Sequence, residues 1–403
     1  MTQTVMTIVA EIDPTRIADL RALLAIVAAD PAGNTLIPLG RAASLHFSSM
    51  VIFDRTGLGP VFVWENNFDG DVDDYLDSVL AINAVGIHRL YSCCSGCPSA
   101  PSDLRHFLRS MVVHPNAYHV GAVGRSVDRI RKEAQLRAAL QSLLDLNSVG
   151  SSATAAAAFL RKSAQSSNLS WALVPELRQT TWERARAWIL LGPSFLLLFF
   201  PLVILLVVVA IYELFDRENH DPFPPANRRR LLELEDRSAL NHMAAINEVK
   251  PGIVRNLTVR LVLMLANMAA RTSNDGKLGG IPTIHFAHWS LIGGGKWLIF
   301  LSNYGGSWGG YLDDFIEKQS RGLTAIWSNV VGFPQATFLF GRGARNGPLF
   351  KTFARNSMTE TLVWYQAYPD LTIQTVNRNS DIRDALAGGP KDEAAEQEWL
   401  HLL

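Results

Sequence analysis

Hydrophobic and polar positions run through the same succession of patterns twice along the chain. An alternating stretch, Val5 to Ile12, leads through Pro14 into a segment whose apolar residues Ile17, Leu20, Leu24 and Val27 recur at helical spacing. Two strand-like runs follow, Ser44 to Phe53 and Val61 to Glu65, and then a helix predicted over Val72 to Ala84 and a strand over Ile87 to Ser92. The second succession opens with Ala244 to Val249, then Pro251 and a stripe of Val254, Leu257, Leu261, Leu265 and Met268. Strands at Thr283 to Ile292 and Trp297 to Ser302, a helix at Leu312 to Arg321 and a strand at Thr324 to Ser328 complete it. Each half reads β-α-β-β-α-β, the split pattern of ferredoxin-like domains, in which helices cover one sheet face and leave the other free.

Individual residues recur with the pattern. Asn67-Phe68-x-Gly70 and Tyr75-Leu76-Asp77 return 236 positions later as Asn303-Tyr304-x-Gly306 and Tyr311-Leu312-Asp313, and Gly96-x-Pro98 returns as Gly332-x-Pro334. With small loop changes Leu45-His46-Phe47 matches Ile284-His285-Phe286, Ala117-Tyr118 is matched with Ala367-Tyr368, and Leu136-Arg137-x-Ala139-Leu140 with Ile382-Arg383-x-Ala385-Leu386. The chain therefore reads as α+β, with two ferredoxin-like repeats over residues 1–140 and 242–388 and a tail over 389–403. A free apolar sheet face must be buried, and a repeat supplies its own partner, so the repeats are expected to pair as a pseudo-symmetric α+β barrel.

Between the repeats, linkers over 141–186 and 214–241 flank a hydrophobic segment at 187–213. Ala187 to Tyr212 is a run of 26 residues without a charge, long enough as a helix to cross a hydrocarbon core of roughly 30 Å. Five Arg and Lys residues on either side give no positive-inside bias, and Pro193 and Pro201 allow a kinked span or a re-entrant dip. Two lobes sharing one barrel cannot lie on opposite sides of a membrane. The expectation is a bacterial inner-membrane protein with both lobes facing the cytoplasm and the lipid bilayer as a partner.

Composition excludes some classes. With 37 basic and 37 acidic residues the net charge is zero, which disfavours a nucleic-acid partner. A charged fraction of 18% against 48% hydrophobic excludes wholesale disorder. The three cysteines, Cys93, Cys94 and Cys97, cannot build a disulfide framework, and Cys94-x-x-Cys97 lacks the second pair of ligands a structural zinc requires, so no metal is expected. His88 or His114 would be needed to complete such a site; redox sensing is the alternative use of the thiols.

With two such repeats, the chain resembles the dimeric α+β-barrel superfamily, which includes dye-decolorising peroxidases and chlorite dismutases, over roughly residues 3–140 and 242–388. Its strings His285-Phe-Ala, Ser302-Asn-Tyr-x-Gly-Ser, Tyr311-Leu-Asp-Asp-Phe-Ile and Trp364-Tyr-x-Ala-Tyr-Pro-Asp-Leu are also similar to bacterial membrane proteins of the same layout, a likeness that brings no activity with it. The superfamily resemblance implies haem beside the sheet. His46 and His285, at equivalent strand positions, are candidates for a proximal ligand or for paired structural histidines. His288, expected on the opposite strand face from His285, and His119 have no histidine counterpart in the other repeat and are candidates for a lobe-specific role.

The peroxidases of this superfamily carry a Gly-x-x-Asp-Gly motif and a distal arginine. The nearest string here is Asn66-Asn67-Phe68-Asp69-Gly70, with asparagine for the first glycine, which makes Asp69 a candidate acid/base and Arg125 a candidate charge stabiliser. The same residues also suit a turn entering a helix. Two functions follow as expectations: a membrane-anchored oxidoreductase of the haem-dependent, peroxidase type acting on a hydrophobic or lipid-derived substrate, or a non-catalytic membrane-tethered module that binds an apolar ligand or recruits a partner enzyme.

Overall fold

The computed structural model describes residues 2–147, 152–175, 201–216, 225–272, 278 and 280–403. The first half runs β1 (Gln3–Glu11), α1 (Ile17–Ala29), β2 (Leu45–Arg55), β3 (Gly59–Asp69), α2 (Val72–Tyr91), α3 (Leu104–Ser110), β4 (Val112–Val113), β5 (Ala117–Val120) and α4 (Val127–Leu146). Helices α5 (Ala153–Gln165), α6 (Pro201–Leu214) and α7 (Pro225–Leu234) follow. The second half runs β6 (Leu240–Glu248), α8 (Ile253–Thr272), β7 (Ile284–Ile292), β8 (Trp297–Gly305), α9 (Trp308–Trp327), a ribbon of β9 (Ala336–Thr337) and β10 (Gly341–Arg342), then α10 (Gly347–Ser357), β11 (Met358–Thr359), β12 (Thr361–Gln366), α11 (Ile373–Ala387) and α12 (Glu393–Leu400).

The fold is mixed α+β, built on two antiparallel five-stranded sheets ordered β12-β2-β3-β1-β4 and β11-β6-β8-β7-β5. Each sheet takes an edge strand from the other half of the chain: β12 lies on β2, and β5 lies on β7. Just past each exchanged strand a backbone N–H closes the ladder, Gly121 N donating to His285 O at 2.8 Å and Ala367 N to His46 O at 2.9 Å. Gly121 and Ala367 thus hold corresponding places, so the sequence match of Ala117-Tyr118 with Ala367-Tyr368 is four residues out of register. On corresponding rungs Tyr118 faces His288 and Trp364 faces Ser49. The helices that follow, α4 and α11, are capped alike, by Ser126 and Thr372, and bury Leu136, Leu140, Ile382 and Leu386 in one cluster.

Apolar side chains of both sheets meet in a middle layer, with Val51, Phe53, Val61 and Val63 against Ala244, Ile246, Ile299 and Leu301. The outer faces are covered by helices, α1 and α2 over the first sheet and α8, α9 and α10 over the second. The strands predicted at Ile87 to Ser92 and Thr324 to Ser328 do not exist: these residues form or cap the ends of α2 and α9. Ile87, Leu90 and Tyr91, like Leu323, Ile326 and Trp327, are spaced three and four apart and all buried, which is a helical stripe. A kink at Asn83 (φ −164°, ψ 79°) and another at Gln319 (φ −133°, ψ 19°) interrupt the period and hide the continuation from a sequence reading. The short β4 and β11 take the edge places beside β1 and β6.

Of the hydrophobic segment predicted at 187–213, the part before residue 201 lies outside the described residues. The remainder forms α6, about 21 Å long at 1.5 Å per residue, with Val209 packed on Ala325 and Leu339. Among the described residues one helical stretch, Ile253–Ala270 in α8, is long and apolar enough to cross a membrane; its Val259 and Leu263 are buried in the outer core of the second sheet. Past α6, Asp216 accepts hydrogen bonds from Lys250 Nζ (2.7 Å) and Arg255 Nη2 (2.6 Å), fastening that end of the helix to the body.

A Cβ on Gly121 would lie 2.1 Å from the carbonyl oxygen of Ile284, so Gly121→Ala forces β5 off β7. The expected loss is about 1–3 kcal/mol or more, read as a shift of the urea midpoint. Gly309→Ala, in the first turn of α9 with nothing within 4 Å, leaves the midpoint unchanged or raised.

Candidate functional site

Along β3 the alternation that points Val61 and Val63 into the middle layer also points Glu65 there, fully buried. Its carboxylate is surrounded by groups from both sheets. Ser49 Oγ donates to Oε2 at 2.8 Å and Asn67 Nδ2 to Oε1 at 3.0 Å. From the second sheet, His242 Nε2 lies 3.0 Å from Oε2, His288 Nδ1 3.4 Å from Oε1, and Asn303 Nδ2 donates to Oε1 at 3.5 Å. The ring is closed further out by Thr361 on His242 (2.7 Å), Thr7 on His288 (3.0 Å) and Trp364 Nε1 donating to Asn303 Oδ1 (3.1 Å). Burial alone would raise the Glu65 pKa, but the hydrogen bond and charge of His242, the charge of His288 and the Asn67 bond outweigh it and hold it near 2. Burial pushes His288 the other way, below its ordinary value, against the pull of Glu65.

A second cluster adjoins the first. Strand β2 bulges at His46 and β7 bulges at His285. The two histidines cross over reciprocally: His46 lies 5.2 Å from the Phe286 ring and His285 lies 5.2 Å from the Phe47 ring. The bulge overturns the expected opposition of His285 and His288, since both side chains reach residues of the first sheet. His46 is engaged at both nitrogens, Nε2 to Asp69 Oδ1 at 3.1 Å and Nδ1 to the Tyr368 hydroxyl at 2.8 Å. Asp69 is thereby an orienting carboxylate, and its second oxygen accepts from Val127 N at 2.9 Å, at the positive end of α4. An aspartate, a histidine and a hydroxyl in line can activate a nucleophile. Tyr368 is buried, however, and burial together with Asp69 holds its pKa well above the usual tyrosine value, so the hydroxyl stays protonated.

The remaining candidates do not join these clusters. Arg125 is not brought to Asp69; its guanidinium donates to Asn377 Oδ1, in the layer of α4 and α11. His119 shares a rung with Ala287, whose side chain belongs to the outer layer of the second sheet. Neither of its ring nitrogens has a hydrogen-bond partner, and burial pushes its pKa down to about 4. Cys93 and Cys94 are buried, Cys97 is half-buried, and burial pushes the Cys94 thiol up to about 12, so it is a thiol and not a nucleophilic thiolate. His88 Nε2 is committed to the Pro98 carbonyl at 2.7 Å. Among the described residues no three His, Cys, Asp or Glu side chains are placed to hold a metal ion.

Nor do His46, His288 and His285 fit an axial role to haem iron. Both nitrogens of His46 are spoken for, and those of His288 face Thr7 and Glu65. His285 keeps an unpartnered Nε2, but its ring sits among Phe47, Tyr368 (6.0 Å) and His46, with no face left for a macrocycle. Sequence reasoning missed Glu65, His242 and Tyr368. The signal that could have found Glu65 is its parity: a carboxylate in step with Val61 and Val63 on an inward-facing strand.

His119 yields a prediction. Its folded pKa of about 4 lies below the ordinary value near 6.5, so on acidification the unfolded chain takes up the proton first; stability is complete above pH 6.5 and is lost as pH falls toward 4. His119→Leu removes that loss and an unpaired buried group, so in urea it should be at least as stable as the parent at pH 7.5, with the gap in its favour widening by up to about 3 kcal/mol at pH 4.5.

Comparison of the chain with known protein families, with characterised proteins and with solved structures finds no match in any of the three.

Proposed function

We propose that the chain is a tandem pair of ferredoxin-like units, paired face to face as a pseudo-symmetric barrel, that acts as a membrane-attached, non-catalytic binding module with both halves on the cytoplasmic side. The observation that carries this reading is the exchange of β5 and β12. A body in which each half completes the other's sheet leaves no room for a bilayer between the halves, so the hydrophobic segment leaves and returns on one side. The length of α6 and the fastening of Asp216 to Lys250 and Arg255 agree with an anchor lying against the body.

Support for the pairing of two like units comes from recurring details. Phe68 stacks on Tyr75 at 3.9 Å as Tyr304 stacks on Tyr311 at 4.0 Å, and the bulges of β2 and β7 fall at matching histidines. Support for a non-catalytic role comes from the closure of the Glu65 and His46 clusters, whose reactive groups are buried and mutually engaged. Free thiols at Cys93, Cys94 and Cys97 suit a reducing compartment. The contrasting reading, a haem-dependent oxidoreductase acting on a lipid-derived substrate, has the free Nε2 of His285 in its favour.

The topology is tested with Ser102→Cys and Lys391→Cys, each in a Cys97→Ser background, using a membrane-impermeant maleimide on sealed vesicles. Both exposed positions should label from the cytoplasmic face only; labelling of the two from opposite faces would sink the shared-side reading. The two functional readings separate in an absorption spectrum of the purified protein after haem supplementation. No Soret band is expected, and a band abolished by His285→Ala would put the oxidoreductase in place of the binding module.

A further inference from the structure

We infer that the cavity enclosed by α6, α8 and α9 is a binding site for one acyl chain of a membrane lipid. The inference rests on the membrane-attached reading and names the ligand of that module. The cavity measures about 500 Å³, inside the range of small-molecule sites. Its walls are hydrocarbon: Leu206 and Val209 from α6, Leu261 and Leu265 from α8, Leu323 and Ile326 from α9. The polar groups on the lining are few. Thr258 Oγ1 donates to Val254 O at 2.7 Å on its own helix, Gln319 has interactions of its own, and the Tyr118 backbone N–H donates to Asn267 Oδ1 at 3.3 Å while its ring stacks on Phe286; the Tyr118 hydroxyl and Trp289 Nε1 are buried donors without a hydrogen-bond partner. A lining with no charged side chain and at most two isolated donors, Tyr118 and Trp289, selects an aliphatic tail and leaves a charged head group outside.

Two observations say where the tail comes from. The α6 wall is the end of the charge-free run Ala187 to Tyr212, and the opposite face of α6 exposes Ile204, Val207 and Ile211. Beside it, Ile253, Leu257 and Met264 of α8 are also exposed. Exposed large apolar residues concentrated on these two cavity-forming helices suit contact with lipid. At the rim, Phe338 and Leu339 adopt left-handed backbone angles (φ 49° and 65°), a conformation that costs non-glycine residues of order 1–3 kcal/mol each. The strain is held by Glu213 of α6, whose carboxylate accepts from Leu339 N at 3.0 Å. Its result is that Leu339 is buried while Phe338 and Phe340 are turned outward, Phe340 also lining the cavity. A greasy loop pinned to the anchor helix at the mouth of an apolar cavity is placed to pass a chain from bilayer to protein.

The test uses the full-length protein in detergent with cis-parinaric acid as the probe. Saturable binding at one site is expected, with energy transfer from Trp289, which lines the cavity. Ala266→Trp fills the cavity from α8 and Gly322→Leu from α9, and each should weaken the probe by at least about tenfold while the far-ultraviolet spectrum stays native. Unchanged affinity in a folded variant, or non-saturable binding in the parent, overturns the site. Flotation with phosphatidylethanolamine–phosphatidylglycerol vesicles separates the two levels. Parent and variants should float alike if the cavity holds a chain and the surface holds the membrane; a parent that binds the probe but does not float leaves the cavity standing and removes its lipid source, overturning this assignment along with membrane attachment.

Discussion

Everything in this fold depends on the hydrogen-bond ladders between β12 and β2 and between β5 and β7. A sheet edge is a row of unpaired donors and acceptors, and a half of this chain folded alone would expose one at β2 or β7. It would also leave the apolar side chains of its inner face in water. Exchange of edge strands removes both liabilities together and makes the halves one body. That single constraint joins the halves into one body, in which α6 lies against α8 and α9.

The buried polar layer follows from the same constraint. A carboxylate kept charged at no exposure needs several partners, and Glu65 draws Ser49 and Asn67 from its own sheet and His242, His288 and Asn303 from the other. The exchanged strand supplies the outer supports, Thr361 and Trp364. Leaving a buried polar group unsatisfied costs about 1–3 kcal/mol, and more for a charged one, so Glu65 favours the arrangement in which both sheets supply its partners. The cluster is thus better described as a register pin between sheets than as a reaction centre. Function is set by sites, and here His46 and His288 are engaged between the sheets, His46 through both ring nitrogens.

What a single sequence could determine was local. The alternation of Val5 to Ile12 and Ser44 to Phe53, the stripe at Ile17, Leu20, Leu24 and Val27, and the charge-free run that ends in α6 are all written in neighbouring residues, because burial imposes its period directly on the chain. Strings that recur along the chain, such as Asn67-Phe68-x-Gly70 and Asn303-Tyr304-x-Gly306, were legible there as well. Only the tertiary structure decided which strand pairs with which, since a ladder between residues 47 and 366 leaves no mark on either stretch alone. The kinks at Asn83 and Gln319 belong there as well, as do the bulges that turn His46 and His285 toward each other. So do the partners of Asp69, which looked toward Arg125 by motif and found His46 and the start of α4 by geometry. A side chain's role in a buried cluster is set by what packing brings within 3 Å of it, and those neighbours come from sequence positions that no local pattern connects.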